Sequence, residues 1–132
     1  MKKKIVIAGA TGFIGRWIIE KFKNDYEIVA LSRKVDKDQE IDNVLWKKVD
    51  LYSISSTERA LEGADYGIYL VHSMQPSTRL NQGEFQDTDL LLADNFSRGA
   101  WKNNLKQIIY IGGILPKDKK NISKHLLSRF EV

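Results

Sequence analysis

The chain has 132 residues, a length that favours one domain with a real hydrophobic core. Hydrophobic residues make up 42% and charged residues 29%, as in an ordinary globular protein, and the absence of cysteine excludes disulfides, thiolate metal sites and thiol nucleophiles. The formal net charge of +4 comes without the interleaved aromatic residues or the motifs of nucleic-acid readers, so we predict solvated basic surfaces and no nucleic-acid partner.

The first predicted element is a short β-branched strand at Lys4–Ala8. The lysines before it resemble the start of a secretory signal, but the apolar segment is short, broken by glycines and without a suitable cleavage site. No apolar run in the chain reaches the roughly 18 residues that span a bilayer. We therefore predict a cytoplasmic protein without a membrane span.

A glycine-rich turn, Gly9-Ala10-Thr11-Gly12-Phe13-Ile14-Gly15, joins this strand to a helix predicted at Phe13–Asn24. A strand, a glycine-rich turn and a helix in this order are typical of dinucleotide binding. Gly9 would let the chain turn, Gly12 would let the backbone approach a pyrophosphate, and Gly15 would let helix and strand pack closely. The phosphates would lie on free amides at the positive end of the helix. The alternative is a tight turn without a ligand.

Strands and helices alternate along the rest of the chain. The first helix carries apolar residues near helical spacing at Ile14, Trp17, Ile18 and Phe22. Either Ser53 or Ser55 caps a helix that runs to about Leu61, and Glu58 would complete a capping box with Ser55. Further strands are predicted at Glu27–Ser32, Val44–Val49, Tyr66–Val71 and Gln107–Ile111, a loop at Arg33–Asn43, a long helix at Glu84–Asn103 and a last helix after Ser123.

This order predicts a three-layer α/β Rossmann fold, a doubly wound parallel sheet of about five strands with helices on both faces. Ligands of such sheets bind at the carboxyl ends of the strands, where the strand order reverses. The segments that follow the predicted strands are therefore expected to gather along one edge. They are the Gly9–Gly15 turn, Ser32–Arg33, Asp50–Leu51, His72–Ser73 and Gly112–Gly113.

The residues after the second strand, Ser32, Arg33 and Lys34, indicate which nicotinamide cofactor is bound. A NAD-selective site usually carries Asp or Glu here, which bonds the ribose hydroxyls. Arginine instead offers a 2′-phosphate a planar fork of donors, and lysine offers it a point charge. We therefore predict NADP in preference to NAD. The alternative is that Arg33 and Lys34 begin a solvated loop, since Asp36 and Asp38 follow.

Two other strand ends carry candidate cofactor contacts. Asp50 could accept a hydrogen bond from the exocyclic amine of the adenine while Leu51 packs on the ring, or Asp50 could cap the following helix. Val71, His72 and Ser73 are expected to line the cofactor edge, His72 by its position and not by its chemistry. No metal site is predicted.

With these motifs assembled, the sequence resembles the extended and atypical short-chain dehydrogenase/reductase superfamily, which includes NAD-dependent epimerases and dehydratases. The resemblance rests on the Gly9–Gly15 fingerprint and continues through Asp50-Leu51, Leu61-x-Gly63-Ala64-Asp65 and Ile109-Tyr110-Ile111-Gly112-Gly113. Tyr69–Met74 and His125–Arg129 look like an atypical, NmrA-like branch. The resemblance implies a bound NAD(P) and, for the whole protein, an oxidoreductase or a nucleotide-sugar epimerase/dehydratase relative with a small-molecule substrate.

The chain departs from this superfamily at the catalytic pair. Active members carry Tyr-x-x-x-Lys in the helix after the fifth strand, but no tyrosine here is followed four residues later by lysine. His125-Leu126-Leu127-Ser128-Arg129 stands in that position. The resemblance therefore makes His125 a candidate general acid/base and Arg129 a candidate for holding ribose or phosphate, unless His125 is only an exposed residue early in a helix.

Three functional alternatives remain from the sequence. The first is the enzyme just described, and the second is a non-catalytic module that binds NAD(P)H as a structural cofactor or redox sensor. A flavodoxin-like interaction domain is the third. Since members of the superfamily continue into a region that forms most of the substrate pocket, we expect residues 1–132 to be the N-terminal NAD(P)-binding domain of a longer protein, inactive alone.

Overall fold

The computed structural model describes residues 2–71 and 82–111, and it describes residues 82–87 by their backbone alone. The last predicted helix and Gly112–Gly113 lie outside these ranges. The described residues form β1 (Lys4–Ala8), α1 (Phe13–Phe22), β2 (Glu27–Ser32), β3 (Gln39–Ile41), β4 (Val44–Lys48), α2 (Ile54–Ala60), β5 (Tyr66–Tyr69), α3 (Gln82–Lys102) and β6 (Gln107–Tyr110). No helix in this part of the chain is long and apolar enough to cross a membrane.

The strands form one sheet in the order β3-β4-β2-β1-β5-β6. All neighbours from β4 to β6 are parallel, which confirms the predicted doubly wound α/β sheet. The strand order reverses at β1, which has β2 on one side and β5 on the other. The crevice where ligands of such sheets bind therefore lies at the carboxyl end of β1.

Each face of the sheet carries its own apolar core, because side chains alternate along the strands. Ile5 and Ile7 of β1 pack with Ile18 and Ile19 of α1 on one face. On the opposite face, Val6 and Ala8 belong to a second core. This core also contains Ala60 of α2 and Phe96 and Ala100 of α3. A strand buried on both faces reads as a continuous β-branched run, which is why the predicted β1 is correct.

The apolar face of α1 differs from the one expected. Its buried residues are Gly15, Ile18 and Ile19, whereas Trp17 is 58% exposed and Ile14 is 45% exposed. The Nζ atom of Lys21 lies 5.6 Å from the centroid of the Trp17 ring. The helix presents Gly15 to the backbone of Ala10 in the glycine turn, and its buried apolar stripe is narrower than the sequence indicated.

The predicted loop at Arg33–Asn43 is wrong in its second half. There β3 pairs antiparallel with β4, with Ile41 opposite Val44. The two residues between them, Asp42 and Asn43, have φ values of 52° and 66°, the left-handed pair that closes a two-residue hairpin of type I′. Asp42 also accepts a hydrogen bond from the Lys23 ammonium at the end of α1. A hairpin thus adds a sixth strand to the sheet.

The capping box predicted at Ser55 and Glu58 is also wrong. Ser53 caps α2, since its Oγ accepts a hydrogen bond from the Ser56 amide at 3.3 Å. The Glu58 carboxylate instead meets Lys102 of α3, with 2.8 Å between Oε2 and Nζ. Because α2 packs beside α3, this tertiary partner is within reach and the local box does not form.

Candidate cofactor site

The glycine turn leaves β1 in a conformation that requires Gly9. Its φ is +82°, a left-handed value that side chains rarely adopt. A Cβ atom at Gly9 would lie 2.8 Å from the carbonyl carbon of Leu70 and 3.0 Å from the amide nitrogen of Val71. The chain leaving β5 therefore passes directly against the turn.

Gly15 is required because a side chain there would clash with the backbone. Gly12 has neither a left-handed backbone nor such a clash. A Cβ atom at Gly15 would lie 2.7 Å from the Cα of Ala10, so the first turn of α1 touches the backbone of the glycine turn. At Gly12 the φ is −75° and the nearest atom to a Cβ would be the Gly9 carbonyl oxygen at 3.7 Å. The polypeptide itself would accommodate a side chain at Gly12, and the space beside it is open.

The amino terminus of α1 has the properties of an anion site. Gly12 is the N-cap and offers no side-chain hydrogen bond, and the first turn carries no acidic residue. The amide of Arg16 bonds the Gly12 carbonyl at 3.0 Å, so the amides of Phe13, Ile14 and Gly15 precede this first intrahelical bond. Those donors and the positive end of the helix dipole favour a phosphate group. Thr11, Phe13 and Ile14 are exposed around it.

The end of β2 holds the predicted 2′-phosphate contacts. Ser32 is buried and its Oγ accepts a hydrogen bond from the Lys34 amide at 3.0 Å, so its hydroxyl proton remains able to donate. Arg33 and Lys34 are exposed, and neither takes part in an ion pair within the described ranges. Asp38 of the same loop is exposed, and it accepts a hydrogen bond from the Lys48 amide at 3.0 Å.

The turn after β4 shows that Asp50 is not the N-cap of α2. Its Oδ1 accepts a hydrogen bond from the Tyr52 amide at 3.0 Å and its carbonyl accepts one from the Ser53 amide at 3.0 Å. Since Ser53 is the N-cap of α2, the alternative that Asp50 caps this helix is wrong. Asp50 is exposed, and Leu51 packs partly against the core shared with α2 and α3.

At the end of β5, Val71 is half-buried and packs against the same core as Leu51. The structure thus brings the glycine turn, Ser32–Lys34, Asp50–Leu51 and Val71 to the carboxyl edge of the sheet.

The other predicted site residues, His72, Ser73, His125 and Arg129, lie outside the described residues. No group of three or more potential metal ligands occurs within the described ranges.

Sequence reasoning missed a buried polar residue next to this edge. Asn95 of α3 is 6% exposed, and its Nδ2 donates to the carbonyl oxygens of Leu51 at 2.8 Å and Tyr52 at 3.2 Å. The available signal was its position three residues after Leu92, next to Phe96, on the apolar stripe of the helix. A polar residue on such a stripe needs a hydrogen-bond partner, and here the partner is the turn after β4.

Tyr69 lies beneath the same edge, in contact with α3. Its ring centroid lies 5.2 Å from that of Phe96, and its hydroxyl makes no hydrogen bond within the described part of the chain. Burial raises the pKa of the Tyr69 phenol far above its usual value, and Asp89, Tyr110 and Tyr52 add smaller effects in the same direction. The folded protein therefore holds this proton more tightly than the unfolded chain does.

This pKa shift predicts a loss of stability in alkali that the Tyr69→Phe variant should reduce. An unfolded tyrosine ionises near pH 10, so the contribution of Tyr69 is complete below about pH 10 and is lost above it by about 1.4 kcal/mol per pH unit. Urea unfolding at pH 7 and between pH 10 and 11 measures the difference. We expect the two proteins to be within about 1 kcal/mol at pH 7. An equal alkaline slope in both would contradict the prediction.

The chain is similar to known proteins of one family. A model of the NAD dependent epimerase/dehydratase family matches residues 5–127. Auxiliary protein GraX of Staphylococcus aureus (strain NCTC 8325 / PS 47) is 32% identical over 114 residues, which cover 86% of this chain and 37% of that protein.

Solved structures share the fold. UDP-N-acetylglucosamine 4-epimerase from Bacillus cereus is similar with a TM-score of 0.74 at 23% identity, covering 98% of this chain and 46% of that one. The Bordetella bronchiseptica enzyme WbmG, in complex with NAD, is similar with a TM-score of 0.78 at 14% identity. The match covers 99% of this chain and 48% of that one. The chain spans less than half the length of each of these three proteins.

Proposed function

The chain belongs to the NAD dependent epimerase/dehydratase family, and from this premise we propose that residues of the carboxyl edge bind a nicotinamide dinucleotide, NADP in preference to NAD. The observation that carries the proposal is Gly12. Gly9 and Gly15 are explained by the polypeptide alone, whereas the missing side chain of Gly12 leaves open space beside an uncapped helix terminus. A pyrophosphate needs such a cradle.

Each remaining part of the dinucleotide has a candidate contact at this edge. Thr11, Phe13 and Ile14 surround the pyrophosphate position, and Ser32, Arg33 and Lys34 surround the ribose that carries the 2′-phosphate in NADP. Asp50 and Leu51 meet the adenine. Val71 is a candidate contact beside Gly9, whose turn touches the Leu70–Val71 backbone, and His72 and Ser73 are candidates from the sequence alone.

For the whole protein we propose an oxidoreductase or a relative of the nucleotide-sugar epimerases and dehydratases. Its support is the family membership and the fold shared with UDP-N-acetylglucosamine 4-epimerase from Bacillus cereus. A bound nicotinamide dinucleotide supplies the hydride acceptor or donor for such reactions. In this proposal His125 transfers the substrate proton and Arg129 holds ribose or phosphate oxygens.

The second candidate is a non-catalytic NAD(P)H-binding module. It is favoured by the absence of any tyrosine followed four residues later by lysine, and by the similarity to a protein named as auxiliary. Hydride transfer from NADPH by the full-length protein, measured with a panel of carbonyl and nucleotide-sugar substrates, separates the two candidates. Turnover that is lost in His125→Ala and kept in Lys37→Ala, a change at an exposed residue outside the site, supports the enzyme. Binding without turnover supports the module.

Cofactor preference tests the proposed role of Arg33. Because a charge-assisted hydrogen bond contributes about 1.5–3 kcal/mol, NADPH should bind roughly tenfold to a hundredfold more tightly than NADH. Arg33→Ala should remove most of this preference while changing NADH affinity little, as measured by calorimetry. Lys37→Ala is the matched control, since it removes an exposed cation from the same loop. Equal affinities for the two cofactors in the unmodified protein would refute the assignment.

A further inference from the structure

The turn that follows β4 is fixed from the side by an amide of α3. Asn95 donates from Nδ2 to the carbonyl oxygens of both Leu51 and Tyr52, at 2.8 and 3.2 Å. The donor comes from a residue that is only 6% exposed, so both bonds are partly buried. Two successive carbonyl groups therefore have their direction set by a single buried side chain.

The same turn sets the direction of the Asp50 carboxylate. Its Oδ1 accepts the amide of Tyr52 at 3.0 Å, and Oδ2 receives no hydrogen bond from the described residues. Tyr52 thus links the two groups: its amide holds Asp50, and its carbonyl is held by Asn95. A change in the orientation of this peptide segment would move the carboxylate with it.

We propose that Asn95 is a positioning residue for adenine recognition, which it serves by fixing the turn that presents Asp50 Oδ2 to the exocyclic amine. This inference rests on the proposed dinucleotide site. Asn95 touches no part of the ligand, and its effect passes through the backbone of Leu51 and Tyr52. Its loss should therefore reduce discrimination between adenine and a base without the amine, beyond any effect on stability.

The chain contains a matched control for this role. Asn103, just after α3, donates from Nδ2 to the Glu58 carbonyl at 2.8 Å, and it also bonds the carbonyl of Gly99. Both asparagines therefore join α3 to an earlier segment through a side-chain amide and a backbone carbonyl. The acceptor of Asn103 belongs to α2 and not to the turn that carries Asp50. A merely structural role would give the two asparagines the same phenotype.

The test compares NADPH with its reduced hypoxanthine analogue, in which an oxygen replaces the exocyclic amine. The unmodified protein should bind NADPH about tenfold more tightly than the analogue, because a carboxylate accepts from the amine and is repelled by the oxygen. Asn95→Leu, which keeps the branching of the side chain at Cγ and removes the donors, should reduce this ratio to about twofold or less. Asn103→Leu should leave the ratio unchanged, and Asp50→Ala should abolish it.

Asn95→Ser and Asn103→Ser form a second pair for use if a leucine variant does not fold. A ratio that falls in the Asn95 variants alone supports the inference. A ratio that stays at its original value in the folded Asn95 variants overturns it, even if both affinities decrease, because that pattern indicates a structural role. Binding of NADPH without any preference for adenine also overturns it and leaves the proposed function standing. Absence of binding in the unmodified protein refutes the proposed function itself.

Discussion

The Gly12→Val variant is expected to lose dinucleotide binding by at least a hundredfold while remaining folded. A Cβ atom at this position meets nothing closer than the Gly9 carbonyl oxygen at 3.7 Å, and the φ of −75° suits any residue. A branched side chain would instead fill the open space in which the pyrophosphate is proposed to lie. Titration calorimetry with NADPH measures the loss.

Urea unfolding provides the control for Gly12→Val. Replacing a glycine N-cap with valine costs about 1 kcal/mol, so the variant should unfold at a slightly lower urea concentration. Gly12→Ala extends less far into the space and should weaken binding to a smaller extent. If Gly12→Val binds NADPH as tightly as the unmodified protein does, the phosphates do not lie at the start of α1.

The largest effect on stability is expected from Gly15→Ala. The added Cβ would lie 2.7 Å from the Cα and the carbonyl oxygen of Ala10, and backbone atoms cannot move aside as the end of a side chain can. We expect a loss of about 3 kcal/mol in the free energy of unfolding, at the upper end for overpacked interiors. Urea unfolding of Gly15→Ala beside Gly12→Ala measures it, because both place one methyl group in the same turn. Equal midpoints would show that α1 and the glycine turn are not in this close contact.

The sequence predicts the parallel part of this sheet because the responsible signals are local. Buried runs such as Ile5–Ala8 and the glycines of the turn determine strand and turn conformations over a few residues. The strand β3 was missed because Gln39-Glu40-Ile41 is too polar and short to read as a strand by itself. Its evidence is the dipeptide Asp42-Asn43, two residue types that tolerate left-handed backbone and so allow a hairpin.

Only the part of the candidate site that depends on local sequence signals could be predicted. The glycine fingerprint is a contiguous motif, so its location could be predicted, but only the structure separates the two glycines that the polypeptide requires from Gly12. Asn95 could not be connected to the turn that carries Asp50, since its acceptor on Leu51 lies 44 residues earlier in the chain. The choice between Ser53 and Ser55 as helix cap likewise depended on where Glu58 finds its tertiary partner.

The hairpin of β3 and β4 has a consequence for the order of folding events. On the other side of β4, the parallel neighbours Ile28 and Val44 lie 16 positions apart in the chain, whereas Ile41 and Val44 are joined by two residues. Hairpins form within roughly 1–10 μs, and contacts distant in sequence form later. The outer edge of β4 should thus be paired before β2 reaches its inner edge. A nascent chain would expose one unpaired edge of this strand to other chains instead of two, which lowers its risk of aggregation during synthesis.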